Sequence, residues 1–362
     1  MIRVLVAEDS PTARALLVAM LDADSGIQVV AQASTGLEAV EMAERLKPDL
    51  ITMDVHMPEL DGLQATERIM LRSPRPIIIV SSQARDADVS LSLDATRAGA
   101  LLVLPKPEGP GSGHFDSDQR QLVAMVKALS HVKVVRRWRS SGSILSESVD
   151  RTQQANRPSA GASRSSRRAG ARPPAALVAI AASTGGPAAL KDILAALPTN
   201  FSAPILIVQH IAKGFVDGLV KWLGTDSALR VKVATSGETL LPGAVYVAPD
   251  AFHMEIRRAR PDQLRIALTS TPPVGTFRPS GSRLFASVAA AVGDRALAVI
   301  LTGMGDDGVT GLSEIHRQNG LVLAQDEASS VIYGMPREAV RAGVVDEIVS
   351  LQMLPDRLME LT

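Results

Sequence analysis

A chain of 362 residues is longer than one ordinary domain and suits two, each able to bury its own core. Its apolar fraction of 46% is that of a globular protein, but only 3% of residues are aromatic, so the cores must be built from aliphatic side chains. With 38 acidic residues against 38 basic and no cysteine, the composition excludes a global field for nucleic acid, a disulfide framework, thiolate zinc sites and a cysteine nucleophile.

The chain opens on MIRVLVAEDS, where a short apolar run meets an acidic pair, Glu8 and Asp9. No run of eighteen apolar residues follows, so neither a signal peptide nor direct membrane insertion is expected, and a cytoplasmic location fits. From Met1 to Leu129 short apolar runs alternate with helical periodicity. Ile2 to Ala7, Val29 to Ala33, Leu50 to Met53, Ile77 to Val80 and Leu101 to Leu104 are the expected strands. Five strands with intervening helices make a doubly wound α/β domain over residues 1–129.

The carboxyl ends of parallel strands share one sheet edge. Glu8 and Asp9 after the first strand, Asp54 after the third and Lys106 after the fifth should therefore converge. Three crowded carboxylates repel unless a hard cation lies among them, and Mg²⁺ takes carboxylate and phosphate oxygens together. The pattern predicts a phosphoryl-acceptor site with Asp54 as nucleophile, its incoming charge neutralised by the metal and Lys106. An acidic residue after a strand can simply cap a helix, which accounts for Asp9 but not for all four.

These segments, VAEDS, MDVHMPELDG, IVSS and PKP, resemble the response-regulator receiver family, whose domain is a five-stranded parallel flavodoxin-like sheet. The resemblance implies phosphorylation at Asp54, metal binding by Glu8, Asp9, Asp54 and the His56 carbonyl, and switch roles for Ser81 and Lys106. It also implies Mg²⁺ as cofactor and a histidine kinase as phosphodonor. Val103 stands where receivers often carry an aromatic switch residue. The Lys106–Pro107 bond is a candidate cis peptide.

Residues 130–174 change character to Ser, Gly, Ala, Arg and Pro without periodicity, which reads as a flexible linker. Between His131 and Pro174 nine Arg and one Lys face only Glu147 and Asp150, a local charge of +8. A solvated tether is the preferred reading over a site for an acidic partner. About 35 residues of coil span roughly 30 Å, enough for two domains to dock face to face.

From Ala175 the alternation resumes, with strands expected at Leu177 to Ala181, Ile205 to Val208, Ala244 to Val247, Leu297 to Leu301 and Leu321 to Ala324. This is a second doubly wound domain over residues 175–362. Ser183 in AASTGGP, His210 in VQHIAKGF and the Asp306–Asp307 pair in TGMGDDG all lie just beyond strand ends. A serine hydroxyl needs an imidazole to take its proton and a carboxylate to orient that imidazole, and these are the three parts. His316 falls in a helical stretch, whereas His253 in APDAFHME is a harder rival to His210. Gly185 and Gly186 permit a sharp turn into a helix whose N–H groups could face an oxyanion. A competing reading treats Gly303 to Gly308 as GxGxxG with Asp326 eighteen residues on, a dinucleotide fingerprint. Against it, Asp306 and Asp307 would repel a pyrophosphate.

The segments ASTGGP, QHIAKGF, VYVAPDAFHME, FRPSGSRLF, VILTGMGDDG and AQDEASSVIYGMPREAV are similar to the catalytic domain of the chemotaxis protein-glutamate methylesterases, the CheB family, with its Rossmann-like α/β/α fold. A receiver joined to this domain by a linker is that family's architecture. The resemblance implies Ser183 as nucleophile, His210 as general base, Asp307 as orienting carboxylate, and the Met304 amide with the groups around Thr184 as oxyanion donors. It implies a phosphorylation-regulated serine hydrolase that demethylates glutamate methyl esters and deamidates glutamines on chemotaxis receptors, with no cofactor for that step. Ala212, Asp250 and the Gly281-Ser282-Arg283 segment depart from the family pattern, and they put receptor docking in question more than chemistry.

Overall fold

The chain is described as a computed structural model covering residues 1–82, 89–132, 134, 173–211, 213–260 and 263–362. Most of the expected linker, residues 130–174, and Ala212 lie outside these described residues.

Runs such as Ile77-Ile78-Ile79-Val80 suit a pleated surface buried on both faces, where β-branched side chains pack well. They form parallel strands, and polar residues placed at their ends start the helices. The first domain runs β1 (Ile2–Ala7), α1 (Pro11–Asp22), β2 (Ile27–Ala33), α2 (Gly36–Leu46), β3 (Leu50–Met53), α3 (Gly62–Arg72), β4 (Ile77–Ser81), α4 (Val89–Ala98), β5 (Leu102–Pro105) and α5 (Phe115–Leu129). Its sheet order is β2-β1-β3-β4-β5, all parallel. Ser10, Thr35 and Asp61 cap α1, α2 and α3 by accepting the N–H groups of Ala13, Glu38 and Gln64. Gly62 is required by close approach, because a Cβ there would lie 1.8 Å from the Asp54 carbonyl oxygen.

The second domain runs β6 (Leu177–Ala182), α6 (Gly186–Ala196), β7 (Ile205–Gln209), α7 (Val216–Gly224), β8 (Arg230–Val233), β9 (Ala244–Val247), β10 (His253–Arg260), β11 (Gln263–Thr269), α8 (Gly281–Val292), β12 (Ala296–Ile300), α9 (Val309–Arg317), β13 (Leu321–Gln325), α10 (Met335–Arg341), β14 (Glu347–Val349) and α11 (Leu354–Leu361). Seven parallel strands form one sheet in the order β14-β13-β12-β6-β7-β9-β8, and β10 pairs antiparallel with β11. Apolar clusters fill both faces of this sheet, one under α8 and α9 and the other under α6, α7 and α11. Each fully buried Ile or Leu in them contributes about 1.5–3 kcal/mol of burial.

Two doubly wound α/β domains were expected and are found. The sequence pattern did not anticipate β8, β14 or the β10–β11 hairpin. The first two are edge strands of four and three residues, too short for a period to register. The hairpin carries Arg257, Arg258, Arg260 and Arg265 along exposed backbone, which masks its apolar alternation. The expected cis Lys106–Pro107 bond is not present, since the cis peptide among the described residues is Arg278–Pro279.

The two domains touch. Helix α4 packs against α7, and Val331 and Ile332 rest on the apolar cluster of the first domain. No helix among the described residues is long and apolar enough to cross a membrane.

Candidate active site and phosphoryl-acceptor site

Each sheet has one point where the chain's winding reverses, and there the loops diverge to leave a crevice. In the first domain it lies between β1 and β3, and the residues that follow those strands are Glu8, Asp9 and Asp54. Their carboxylate oxygens lie within 4.8 Å of one another. Lys106, beyond β5, reaches both Glu8 at 2.8 Å and Asp54 at 2.9 Å. Glu8 and Asp54 are buried while Asp9 is exposed. Burial, aided by the Asp54 charge, pushes the Glu8 carboxyl above the usual range against its hydrogen bonds from Lys106 and Ser10. Burial also disfavours the Lys106 charge, but its two carboxylate partners outweigh that and hold its pKa above an ordinary lysine.

Glu8 Oε2 is buried without a protein partner. An unsatisfied carboxylate oxygen beside two more carboxylates fits a hard divalent cation, which would complete its coordination and offset the repulsion. Ser81 is fully buried at the end of β4, and its carbonyl accepts the Lys106 N–H at 3.1 Å, so Lys106 is anchored at backbone and side chain. Val103 is half-buried on β5, with no aromatic ring at that position.

In the second domain the reversal lies between β6 and β12. Ser183 follows β6, His210 follows the neighbouring β7, and Asp307 lies beyond β12. His210 Nε2 and Asp307 Oδ2 are 2.8 Å apart. Asp307 is buried, and Asp306 is exposed beside it. The rest of the Asp307 carboxylate is saturated: Ser280 Oγ donates at 2.7 Å, the Gly281 N–H at 2.6 Å and the Ser282 N–H at 3.2 Å. These are the cap and first turn of α8, so the positive end of that helix also faces the carboxylate. Burial alone would raise the Asp307 carboxyl, but the bonds from His210, Ser280 and Gly281 with the His210 charge hold it at about 2.

An ionised aspartate can only accept, so the imidazole donates to it from Nε2 and Nδ1 is the ring nitrogen left for another partner. Nδ1 is buried and has no partner. The Phe277 ring stacks on the imidazole with centroids 4.1 Å apart and planes 11° from parallel, which fixes its orientation. The Ser183 hydroxyl makes no hydrogen bond among the described residues, so the Ser183–His210 bond is not formed in this state. Both residues nevertheless line one cleft of about 770 Å³. Its far wall is Leu102, Val103 and Met125 of the first domain. The first domain therefore stands over Ser183.

Gly185 takes φ +80° and stands at the N-cap of α6, two residues after Ser183, the turn that the paired glycines predict. The amides of Met304 and Thr184 donate to no acceptor among the described residues. His316 lies on α9. His253 is fully buried, its Nε2 3.1 Å from the Pro272 carbonyl oxygen, and it takes no part in the Ser183 cleft. Asp326 is committed to Ser329, accepting its N–H at 3.0 Å, and no dinucleotide fingerprint is assembled around it.

A model described as CheB methylesterase matches residues 178–358, half of the chain, and one described as response regulator receiver domain matches residues 4–114. A Myxococcus xanthus protein named protein-glutamate methylesterase/protein-glutamine glutaminase 4 is 50% identical over 357 residues, 99% of this chain and 96% of its own length. An Anaeromyxobacter dehalogenans relative with the same name, numbered 3, is 48% identical over 366 residues, 99% of this chain and 98% of its own length. The chain belongs to the CheB methylesterase family. The crystal structure of the Thermotoga maritima CheB methylesterase catalytic domain covers 52% of this chain and 99% of its own, at 36% identity and a TM-score of 0.51.

Within this CheB fold, sequence reasoning missed the groups that hold Asp307. Gly281 and Ser282 lie in the segment whose departure from the family pattern puts docking in question, yet their amides bind the carboxylate of the site. The available signal was Ser280 before an apolar-periodic run, an N-cap signature. Phe277 carried no local signal. Asp250, another departure, accepts the Gly214 N–H at 2.5 Å and so ties down the loop that follows His210.

Proposed function

We propose that this chain is a phosphorylation-regulated protein-glutamate methylesterase and glutamine deamidase acting on methyl-accepting chemotaxis receptors. The carrying observation is the His210–Asp307 pair, with its free Nδ1 on the same cleft as the Ser183 hydroxyl. The relatives' names over nearly the whole chain support the substrate.

In this reading His210 Nδ1 takes the Ser183 proton as Oγ attacks the glutamyl ester carbonyl. Asp307 holds the ring and stabilises its positive charge, as in other serine hydrolases. The amides of Met304 and Thr184, which have no acceptor among the described residues, serve as donors to the developing oxyanion. Nδ1 then passes the proton to the departing methanol, and a water repeats the sequence on the acyl-enzyme. A glutamine amide follows the same route with ammonia leaving.

Asp54 accepts the phosphoryl group from a chemotaxis histidine kinase. Glu8, Asp9, Asp54 and the His56 carbonyl would hold Mg²⁺, which neutralises phosphoryl charge when bound. Lys106 neutralises the rest, and Ser81 is the switch hydroxyl. The functional units are the receiver over residues 1–129, the linker over 130–174 and the esterase over 175–362, in the cytoplasm. Unphosphorylated, the receiver covers the cleft, and phosphorylation favours its displacement.

The decisive experiment is methanol release from methylated receptor membranes, with and without a small-molecule phosphodonor and Mg²⁺. Release that rises with phosphodonor and is lost in Ser183→Ala is expected. Release unaffected by Ser183→Ala, or no labelling of Ser183 by a fluorophosphonate, would overturn the assignment.

A further inference from the structure

Ser183 and His210 follow adjacent strands, one residue past the paired positions Ala182 and Gln209 of β6 and β7. Beyond that pair the sheet supplies one more bond, from the His210 N–H to the Ala182 carbonyl at 2.9 Å, and then the two loops part. The Gln209 side chain spans the gap. It is 3% exposed, and its Nε2 donates to the Ser183 carbonyl at 2.8 Å and to the His210 carbonyl at 2.9 Å. An amide nitrogen has two protons, and both are used. Because both acceptors are backbone carbonyls, the amide can stand only one way round.

Its Oε1 is then turned toward the start of α6, where it is buried and without a partner. A Cβ on Gly186 would sit 2.1 Å from that oxygen, so the glycine makes room for the amide. The Ser183 carbonyl also accepts the Gly186 N–H at 2.8 Å. A buried amide that leaves its own oxygen unsatisfied gives up part of its hydrogen-bonding capacity, and what it secures is the relative position of two backbone segments.

Resting on the hydrolase reading above, we infer that Gln209 is a positioning residue that clamps the nucleophile and base loops in register. The Ser183–His210 hydrogen bond is absent in this state, so the two loops are held by the backbone and this side chain, not by the reacting groups themselves. Loss of alignment acts on the chemical step more than on substrate capture, since misplacement of about 1 Å can cost on the order of a hundredfold.

The test uses the full chain, activated with a small-molecule phosphodonor and Mg²⁺, with its sites counted by fluorophosphonate titration. Gln209→Met keeps the length but removes both donors. It should lower kcat per titrated site roughly 30- to 100-fold, with KM changed by less than about threefold. Gly186→Ala attacks the same amide from the other side. The combined variant should lose little beyond the worse single change, because both act on one clamp. A residue that only filled the core would reduce the number of titratable sites and leave turnover per site near wild type, and that result overturns the inference. So does full additivity of the two substitutions. Ser183→Ala separates the failures: an inactive Ser183→Ala beside a fully active Gln209→Met sinks the clamp alone, whereas an active Ser183→Ala sinks the hydrolase reading itself.

Discussion

The two crevices occupy equivalent places in their sheets and differ in how their carboxylates are satisfied. In the receiver, Glu8 and Asp54 share one cation, Lys106, and Glu8 Oε2 is left with nothing. In the esterase, one carboxylate receives four donors, and the unsatisfied atom of the ring it holds is His210 Nδ1. A carboxylate cluster short of donors calls for a metal and a phosphoryl group. A carboxylate with donors to spare becomes an anchor and passes reactivity to its imidazole. Position in an α/β sheet thus selects where a site forms, and the local count of donors and acceptors selects its chemistry.

The comparison breaks most visibly at Ser183. Replacing it with Ala should lower methanol release roughly 10⁴-fold if hydroxyl, imidazole and carboxylate act as a unit. Phosphorylation of Asp54 should be untouched in that variant, which a phosphate-sensitive gel would read out; a coupled loss would mean the crevices are not chemically separate.

Next comes the contact between them. Removing residues 1–130 takes away the wall of Leu102, Val103 and Met125. Basal esterase activity should rise on the order of tenfold, equivalent to about 1.4 kcal/mol of docking. A truncated enzyme no faster than the resting full-length form would remove inhibition from the account.

The anchoring role of Asp307 predicts a signature in acid. Its carboxyl is held at about 2, below the ordinary aspartate value, so it contributes stability above the unfolded value and loses it as pH falls through the folded one. Wild type should exceed Asp307→Asn by about 2 kcal/mol near neutral pH. The gap should close between about pH 4 and pH 2, and urea unfolding across that range measures it. A gap that widens in acid would reverse the assigned charge state.

The smallest effect is expected at Phe277, whose stacking on His210 is worth about 0.5–1.5 kcal/mol. Phe277→Ala should slow Ser183 labelling by roughly two- to tenfold and leave thermal stability nearly unchanged. No change in labelling would reduce the ring to a packing neighbour of His210.

What the amino-acid order determined by itself was the pair of sheets and the residues at their strand ends. Apolar runs of four to six residues separated by helical periods leave few alternatives, and polar side chains just past such runs must meet at a sheet edge. Glu8, Asp9, Asp54, Lys106, Ser183, His210 and the Asp306–Asp307 pair were legible as strand-end residues for that reason, and only the family resemblance singled out Asp307 from its neighbour. Tertiary structure alone decided which atoms are satisfied. The cap of α8 that saturates Asp307, the ring of Phe277 on His210 and the Gln209 amide across two loops bridge segments 26 to 67 residues apart in sequence. Hydrogen-bond saturation and ring stacking depend on approach in space to a fraction of an ångström, and no local period in a sequence encodes that.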